Sequence, residues 1–153
     1  MSTGTRNNWG PPTWYFLHGF AEKINKKYYE SNVLTCFDII KKICFTLPCP
    51  ICRKHAITYL SKHNIRHYNT KEKLKIFLFN FHNEANKNAK NPLEKKEVLD
   101  KYKSIIMLKA WIYFEQNFFY DYYSERSFNS WRQNSLKKEI KNFFNENWTK
   151  MFS

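Results

Sequence analysis

Val33-Leu-Thr-Cys-Phe-Asp-Ile-Ile-Lys-Lys-Ile-Cys-Phe-Thr-Leu-Pro-Cys-Pro-Ile-Cys-Arg-Lys-His55 changes character at Pro48. Ahead of that residue Val33, Phe37, Ile40, Cys44 and Leu47 recur at three- and four-residue steps, the spacing of a helix with one buried face. Pro48 breaks the pattern, and a new helix starts at the two cysteines. Cys49 falls near its N-cap and Pro50 near its first helical position, where the missing N–H of proline costs nothing. Ala56, Tyr59 and Leu60 continue its apolar stripe.

Upstream, Trp14, Leu17, Ala21, Ile24 and Tyr28 keep the same period, which predicts a helix over about residues 12–29 with Pro11-Pro12 at its start. Downstream, the polar run over residues 61–70 reads as a loop. Thr70-Lys-Glu-Lys73 then opens a fourth helix with Leu74, Phe77, Leu78, Phe81 and Ala85 on its apolar face. His82, Asn86 and Ala89 form an adjoining stripe, and Pro92 marks the end. Four helices joined by short connections predict an all-α, up-and-down four-helix bundle. Roughly residues 93–123 and 128–148, rich in Trp, Phe and Tyr, predict two or three additional C-terminal helices. The expected division is a bundle over residues 1–103 and an extension over 104–153 that packs on the bundle or forms a dimer surface.

Composition agrees with long helices. The chain has 153 residues, enough for one well-buried core, and only 3 Gly and 5 Pro, too few for the tight turns of a small all-β domain. Aromatic residues at 19% exclude a disordered tail. The net charge of +13 raises a basic nucleic-acid-binding module as a second reading. The lysines are scattered rather than blocked, however, which favours solvated helix faces. No secretory h-region is visible at the start and no apolar stretch approaches the ~20 residues of a membrane span. A cytosol-like (cytoplasmic) location is therefore expected, and the glycosylation sequon Asn147-Trp-Thr149 reads as chance.

In such a compartment clustered cysteines point to catalysis or metal rather than to a disulfide scaffold. Cys36, Cys44, Cys49 and Cys52 all precede residue 53. In Cys49-Pro-Ile-Cys52 the two intervening residues allow a small disulfide ring at a helix start, where the unpaired N–H groups favour a thiolate. A zinc site could be assembled from Cys49, Cys52 and His55 with Cys44 or His82, but the usual second ligand pair is missing. A thioredoxin-like site would need strands around the motif. Cys36 and Cys44, eight residues apart on one helix and so separated by about 12 Å of rise, cannot bond each other and read as buried small residues. His18, His82, Asn83 and Asn86 are polar groups beside core-like faces, with Trp14 alongside. They fit an apolar cofactor slot with a few convergent donors, and equally a satisfied set of core hydrogen bonds.

Three segments in fixed order resemble the Erv/ALR family of FAD-linked sulfhydryl oxidases: Trp9-Gly-Pro-Pro-Thr-Trp-Tyr-Phe-Leu-His18, Leu47-Pro-Cys-Pro-Ile-Cys-Arg-Lys-His55 and His82-Asn-Glu-Ala-Asn86. The similarity covers about residues 9–102 and is greatest to the compact forms encoded by large DNA viruses. It implies a helical bundle holding FAD, usually as a homodimer, that turns two thiols and O2 into a disulfide and H2O2. It implies Cys49 as the thiol that exchanges with a protein dithiol substrate, such as a small thioredoxin-like redox protein, and Cys52 as the one beside the flavin. Gly10, Trp14, His18, His82, Asn83 and Asn86 would contact FAD, with Lys90 reaching the phosphates and Tyr102 closing the pocket. Two departures stand out. Asn91 occupies the position before the proline where the family often has lysine, and the shuttle dithiol of many cellular members is missing.

Overall fold

The computed structural model describes residues 2–119 and 128–153. Among them are seven α-helices, two 3-10 segments and no strand. The helices are α1 Ser2–Lys23, α2 Lys26–Ser31, α3 Val33–Phe45, α4 Pro50–Ser61, α5 Lys71–Asn88, α6 Met107–Phe118 and α7 Phe128–Met151. The 3-10 segments are Ile65–His67 and Lys96–Ser104.

The four expected bundle helices are α1, α3, α4 and α5, and their apolar stripes meet in one core. Phe16, Phe20, Phe37, Ile40, Ile43, Leu74, Phe77 and Leu78 are all essentially inaccessible to water. Local signals set the ends. Cys49 caps α4 through its sulfur, which accepts the Cys52 N–H at 3.2 Å, and Pro50 follows in the first turn. Thr70 caps α5 through its hydroxyl, which accepts the Lys73 N–H. At the far end of α5 the Asn91 N–H returns to the Asn86 carbonyl and Lys90 N–H to that of Lys87, with Lys90 at φ 60°. This is a left-handed helix stop, occupied here by lysine instead of the usual glycine.

Three expected boundaries change. The first helix does not start at Pro11-Pro12 but runs through both prolines from Ser2. The Thr13 hydroxyl donates to the Trp9 carbonyl within this stretch. It also stops at Lys23 instead of continuing to Tyr29, because Asn25 caps a separate α2 by accepting the Tyr28 N–H. The segment after Pro92 begins as a 3-10 run, and the expected helix there is confined to α6; the end of that expected helix falls partly outside the described residues.

The C-terminal helices lie on the bundle. Phe114 of α6 stacks on Phe16 of α1 at 4.7 Å between ring centroids, flanked by Trp111 and Phe118. Approach here is close: a Cβ on Gly19 would come within 2.8 Å of the Ile105 side chain. Helix α7 turns Gln133, Leu136, Ile140 and Phe144 inward, and the Met151 carbonyl accepts the Asn25 N–H. Among the described residues no helix is long and apolar enough to cross a membrane.

Candidate functional site

A cavity of about 730 Å³ opens where α1, α3, α4, α5, the 3-10 segment Lys96–Ser104 and α6 converge. That volume is in the range of cofactor pockets. Six of the residues that the family resemblance assigns to the site line it, Gly10, Trp14, Cys52, His82, Asn86 and Tyr102, as do Cys44 and His55.

Cys49 and Cys52 form a disulfide with their Cα atoms 5.2 Å apart. Cys52 belongs to the cavity wall, whereas Cys49 is the cap of α4 and lies outside the lining. The two residues of one short ring therefore stand differently toward the cavity. The other two cysteines are free and buried, and burial pushes both thiols up to about 12. Cys44 shares the cavity wall with Cys52 but is a poor nucleophile there.

The flat part of the wall comes from α1 and α5. Trp14 and His82 stack with centroids 4.1 Å apart and planes within 7°. Phe81 meets Trp14 edge-on, and Tyr59 of α4 stacks flat on Phe81. His18, one turn after Trp14, is buried behind this surface. Its Nε2 lies 2.9 Å from Nδ1 of His82, and its ring stacks on Tyr102. One proton between those nitrogens makes the bond, so at least one ring must be neutral to accept it. Burial is the main reason that the His18 pKa falls to about 3, followed by the charges of His82 and Lys101. Burial and then Lys101 lower His82 to about 4. Burial likewise raises the Tyr102 phenol to about 12, helped by Glu94 and Tyr15.

Three other expected residues stand outside the lining. His18 supports the wall from behind, as described. Asn83 is engaged with the backbone of Glu94: its amide NH2 donates to the carbonyl at 3.0 Å and its oxygen accepts the N–H at 2.9 Å. It thereby ties the segment after Pro92 to α5 and accepts a long bond from Asn86. Lys90 is exposed at the helix stop, and Asn91, next to it, faces the cavity instead.

Sequence reasoning missed several lining groups. Lys101 contributes a cation, its ammonium 5.2 Å from the centroid of the Tyr102 ring. Tyr15 and Tyr113 stand at 6.0 Å from each other and Tyr113 comes from α6, which no motif covers. Trp9, quoted in the first motif without a role, lines the cavity with a buried indole N–H that has no partner among the described residues. Such a donor asks for an acceptor. Among the described residues no group of three His, Cys, Asp or Glu side chains is arranged to hold a metal ion.

The sequence profile of the Erv1/Alr family matches residues 11–104 of this chain. A FAD-linked sulfhydryl oxidase from a Kenyan pig isolate of African swine fever virus is 32% identical over 80 residues, covering 52% of this chain and 66% of that protein. The protein of the same name from a Namibian warthog isolate is 34% identical over 99 residues, covering 64% and 79% respectively. A protein of Invertebrate iridescent virus 3 is 33% identical over 99 residues, covering 62% and 66%. The chain spans just under two thirds of the length of the first and last of these. No solved structure matches.

Proposed function

The chain belongs to the Erv1/Alr family, and from that premise we propose an FAD-dependent thiol oxidase that forms protein disulfides, with O2 as electron acceptor and H2O2 as product. One observation carries the reading. Cys52 of the Cys49–Cys52 disulfide lines a large cavity, while Cys49 caps α4 outside that lining.

The residues present suit FAD. The unpartnered indole N–H of Trp9 offers a donor to a cofactor acceptor, and Gly10 beside it lets the backbone approach closely. Trp14 and His82 would hold a flat ring, and the Asn86 amide and Tyr102 would bound it. Lys101 supplies the positive charge for the anionic part, a role expected of Lys90, whose ammonium stands outside the lining. His18 and Asn83 act from behind, by fixing the His82 ring and by tying the segment that leads toward Lys101. When bound, FAD supplies an acceptor for the electron pair of a dithiol and a donor of that pair to O2.

The chain's own part is thiol–disulfide exchange. A substrate thiolate attacks the sulfur of Cys49 and Cys52 leaves as a thiolate in the first turn of α4, where the positive end of the helix dipole stabilises it. The second substrate thiol, losing its proton, attacks the mixed disulfide and releases Cys49. Substrate is then oxidised by two electrons and the enzyme dithiol reduced by two, with Cys52 next to the cavity. Overall, two thiols and one O2 give one disulfide and one H2O2. The neutral His18–His82 pair keeps positive charge away from the flat wall while holding it rigid.

Within this reading residues 1–103 form the cofactor-binding bundle and 104–153 an extension that adds Tyr113 to the cavity wall. The substrate is a protein dithiol, such as a small thioredoxin-like redox protein, that meets Cys49 directly. The working form is a homodimer in a cytosol-like compartment.

Purified protein should be yellow and consume O2 with stoichiometric peroxide when given dithiothreitol. Cys49→Ser and Cys52→Ser should each remove turnover while flavin stays bound. A folded but colourless preparation, or near-normal turnover in either variant, overturns the proposal.

A further inference from the structure

The connector Thr46-Leu47-Pro48 joins α3 to the cap of α4 and so sets where Cys49 stands. Its bonds are mostly local. The Thr46 hydroxyl returns to the carbonyls of Lys42 and Ile43, and the Arg53 guanidinium donates to the Leu47 carbonyl. One bond is not local: the Gln133 amide donates to the Thr46 carbonyl at 2.8 Å, across 87 residues of sequence. Both residues are buried, with Gln133 4% exposed and Thr46 5%.

Gln133 stands in an unusual place for an amide. It belongs to the buried stripe of α7 with Leu136, Ile140 and Phe144, where packing alone would be met by leucine or methionine. A buried amide is tolerated only when bonded, and this one is bonded to the connector that carries the redox disulfide. The helix lies beyond residue 104, past the part of the chain that matches the family profile.

We propose that Gln133 is a positioning residue for the Cys49–Cys52 couple, holding the connector so that the sulfur of Cys49 stays within bonding reach of Cys52. The C-terminal helix is then part of the redox centre and not only a cover for the bundle. The inference rests on the thiol oxidase reading. Loosening the connector lowers the effective concentration of one thiol at the other and so makes the disulfide easier to reduce.

The test compares Gln133→Met, which keeps the volume and removes the donor, with Leu136→Ala, which loosens the same helix and leaves the bond. The reduction equilibrium of the disulfide is measured in glutathione buffers on the full-length protein, with thiol alkylation read by mass. Steady-state turnover with dithiothreitol and thermal midpoints are measured alongside. Gln133→Met should shift the reduction equilibrium toward dithiol by about tenfold, close to 30 mV, and move kcat/KM away from the wild-type value, since dithiothreitol attacks that same disulfide. Leu136→Ala should lose at least as much thermal stability while both redox readings stay at the wild-type value. If Gln133→Met does not fold, Gln133→Glu, with the same shape and an acceptor facing the carbonyl, takes its place. A wild-type equilibrium in the Gln133 variant, or an equal shift in Leu136→Ala, overturns the positioning role. Wild-type protein that oxidises no dithiol would instead refute the oxidase reading, since the disulfide equilibrium is measured without turnover.

Discussion

Acid should destabilise this protein through His18 and His82 well before its carboxylates are titrated. An imidazole in the unfolded chain takes up its proton near pH 6.5. In the folded protein the two midpoints lie at about 3 and about 4, chiefly because the rings are buried. Between these limits the unfolded chain binds more protons than the folded one, so stability is complete above pH 6.5 and falls as pH drops toward 4. At pH 5 each ring contributes a loss of about 2 kcal/mol, or about 4 kcal/mol together, at 1.36 kcal/mol per pH unit and proton. That is a large part of the roughly 5–15 kcal/mol of a typical domain.

Two measurements check the reasoning. Nitrogen chemical shifts of the imidazoles give the folded midpoints directly, and urea unfolding from pH 7.5 to 4.5 gives the slope. The slope should approach about 2.7 kcal/mol per pH unit from these two groups. A variant carrying both His18→Gln and His82→Gln should lose that component and keep the contribution of the carboxylates. Lys101→Gln removes a charge that lowers both rings, so both midpoints should rise. A folded midpoint near 6.5 for either ring, or an unchanged slope in the double variant, would refute the picture of a neutral, proton-sharing pair.

Asn83→Ala removes both bonds to the Glu94 backbone and should cost about 1–3 kcal/mol in urea unfolding; it should also raise proteolytic cleavage between α5 and α6, and unchanged cleavage would contradict the tying role. Phe114→Ala empties a fully buried site stacked on Phe16 and should cost about 3–5 kcal/mol in one cooperative transition, as α6 shares the core of α1; a separate early transition would show that α6 folds apart. In native, reduced protein at neutral pH, iodoacetamide should modify Cys49 and Cys52 long before Cys36 or Cys44, with modification sites read by mass.

The bundle was legible because its apolar stripes are long and its caps chemical. Val33 to Cys44 and Leu74 to Ala85 leave little choice of structure, and Cys49-Pro50 and Thr70 mark starts that the backbone obeys. Pro11-Pro12 misled, since proline at a helix start and proline inside a helix look alike until the preceding turn is known. The split at Asn25 depends on one side-chain bond to Tyr28 N–H, which periodicity does not register. The cavity divides in the same way. Trp14, Cys52, His82 and Asn86 were readable because they recur at helical steps beside a dithiol. Lys101, Tyr15 and Tyr113 were not, as they reach the wall through the packing of α1, α6 and the 3-10 segment. The bonds of Asn83 were not readable for a related reason: its partner is the backbone of Glu94, eleven residues on, past a proline.

The four cysteines show how placement, rather than number, decides reactivity. Cys44 and Cys52 line one cavity, so proximity alone would allow Cys44 to attack the disulfide and scramble it. The attacking species is the thiolate. With burial pushing its pKa up to about 12, Cys44 holds far less thiolate at neutral pH than an ordinary thiol does. The α4 N-terminus acts in the opposite sense on the pair it carries, through the positive end of the helix dipole and the Cys52 N–H that the Cys49 sulfur accepts. Burial in α3 silences one sulfur and a helix start activates its neighbours, over the few residues from Cys44 to Cys52. The connector between them must therefore be held firmly, and the buried Gln133–Thr46 bond is the tie from outside the hairpin that does so.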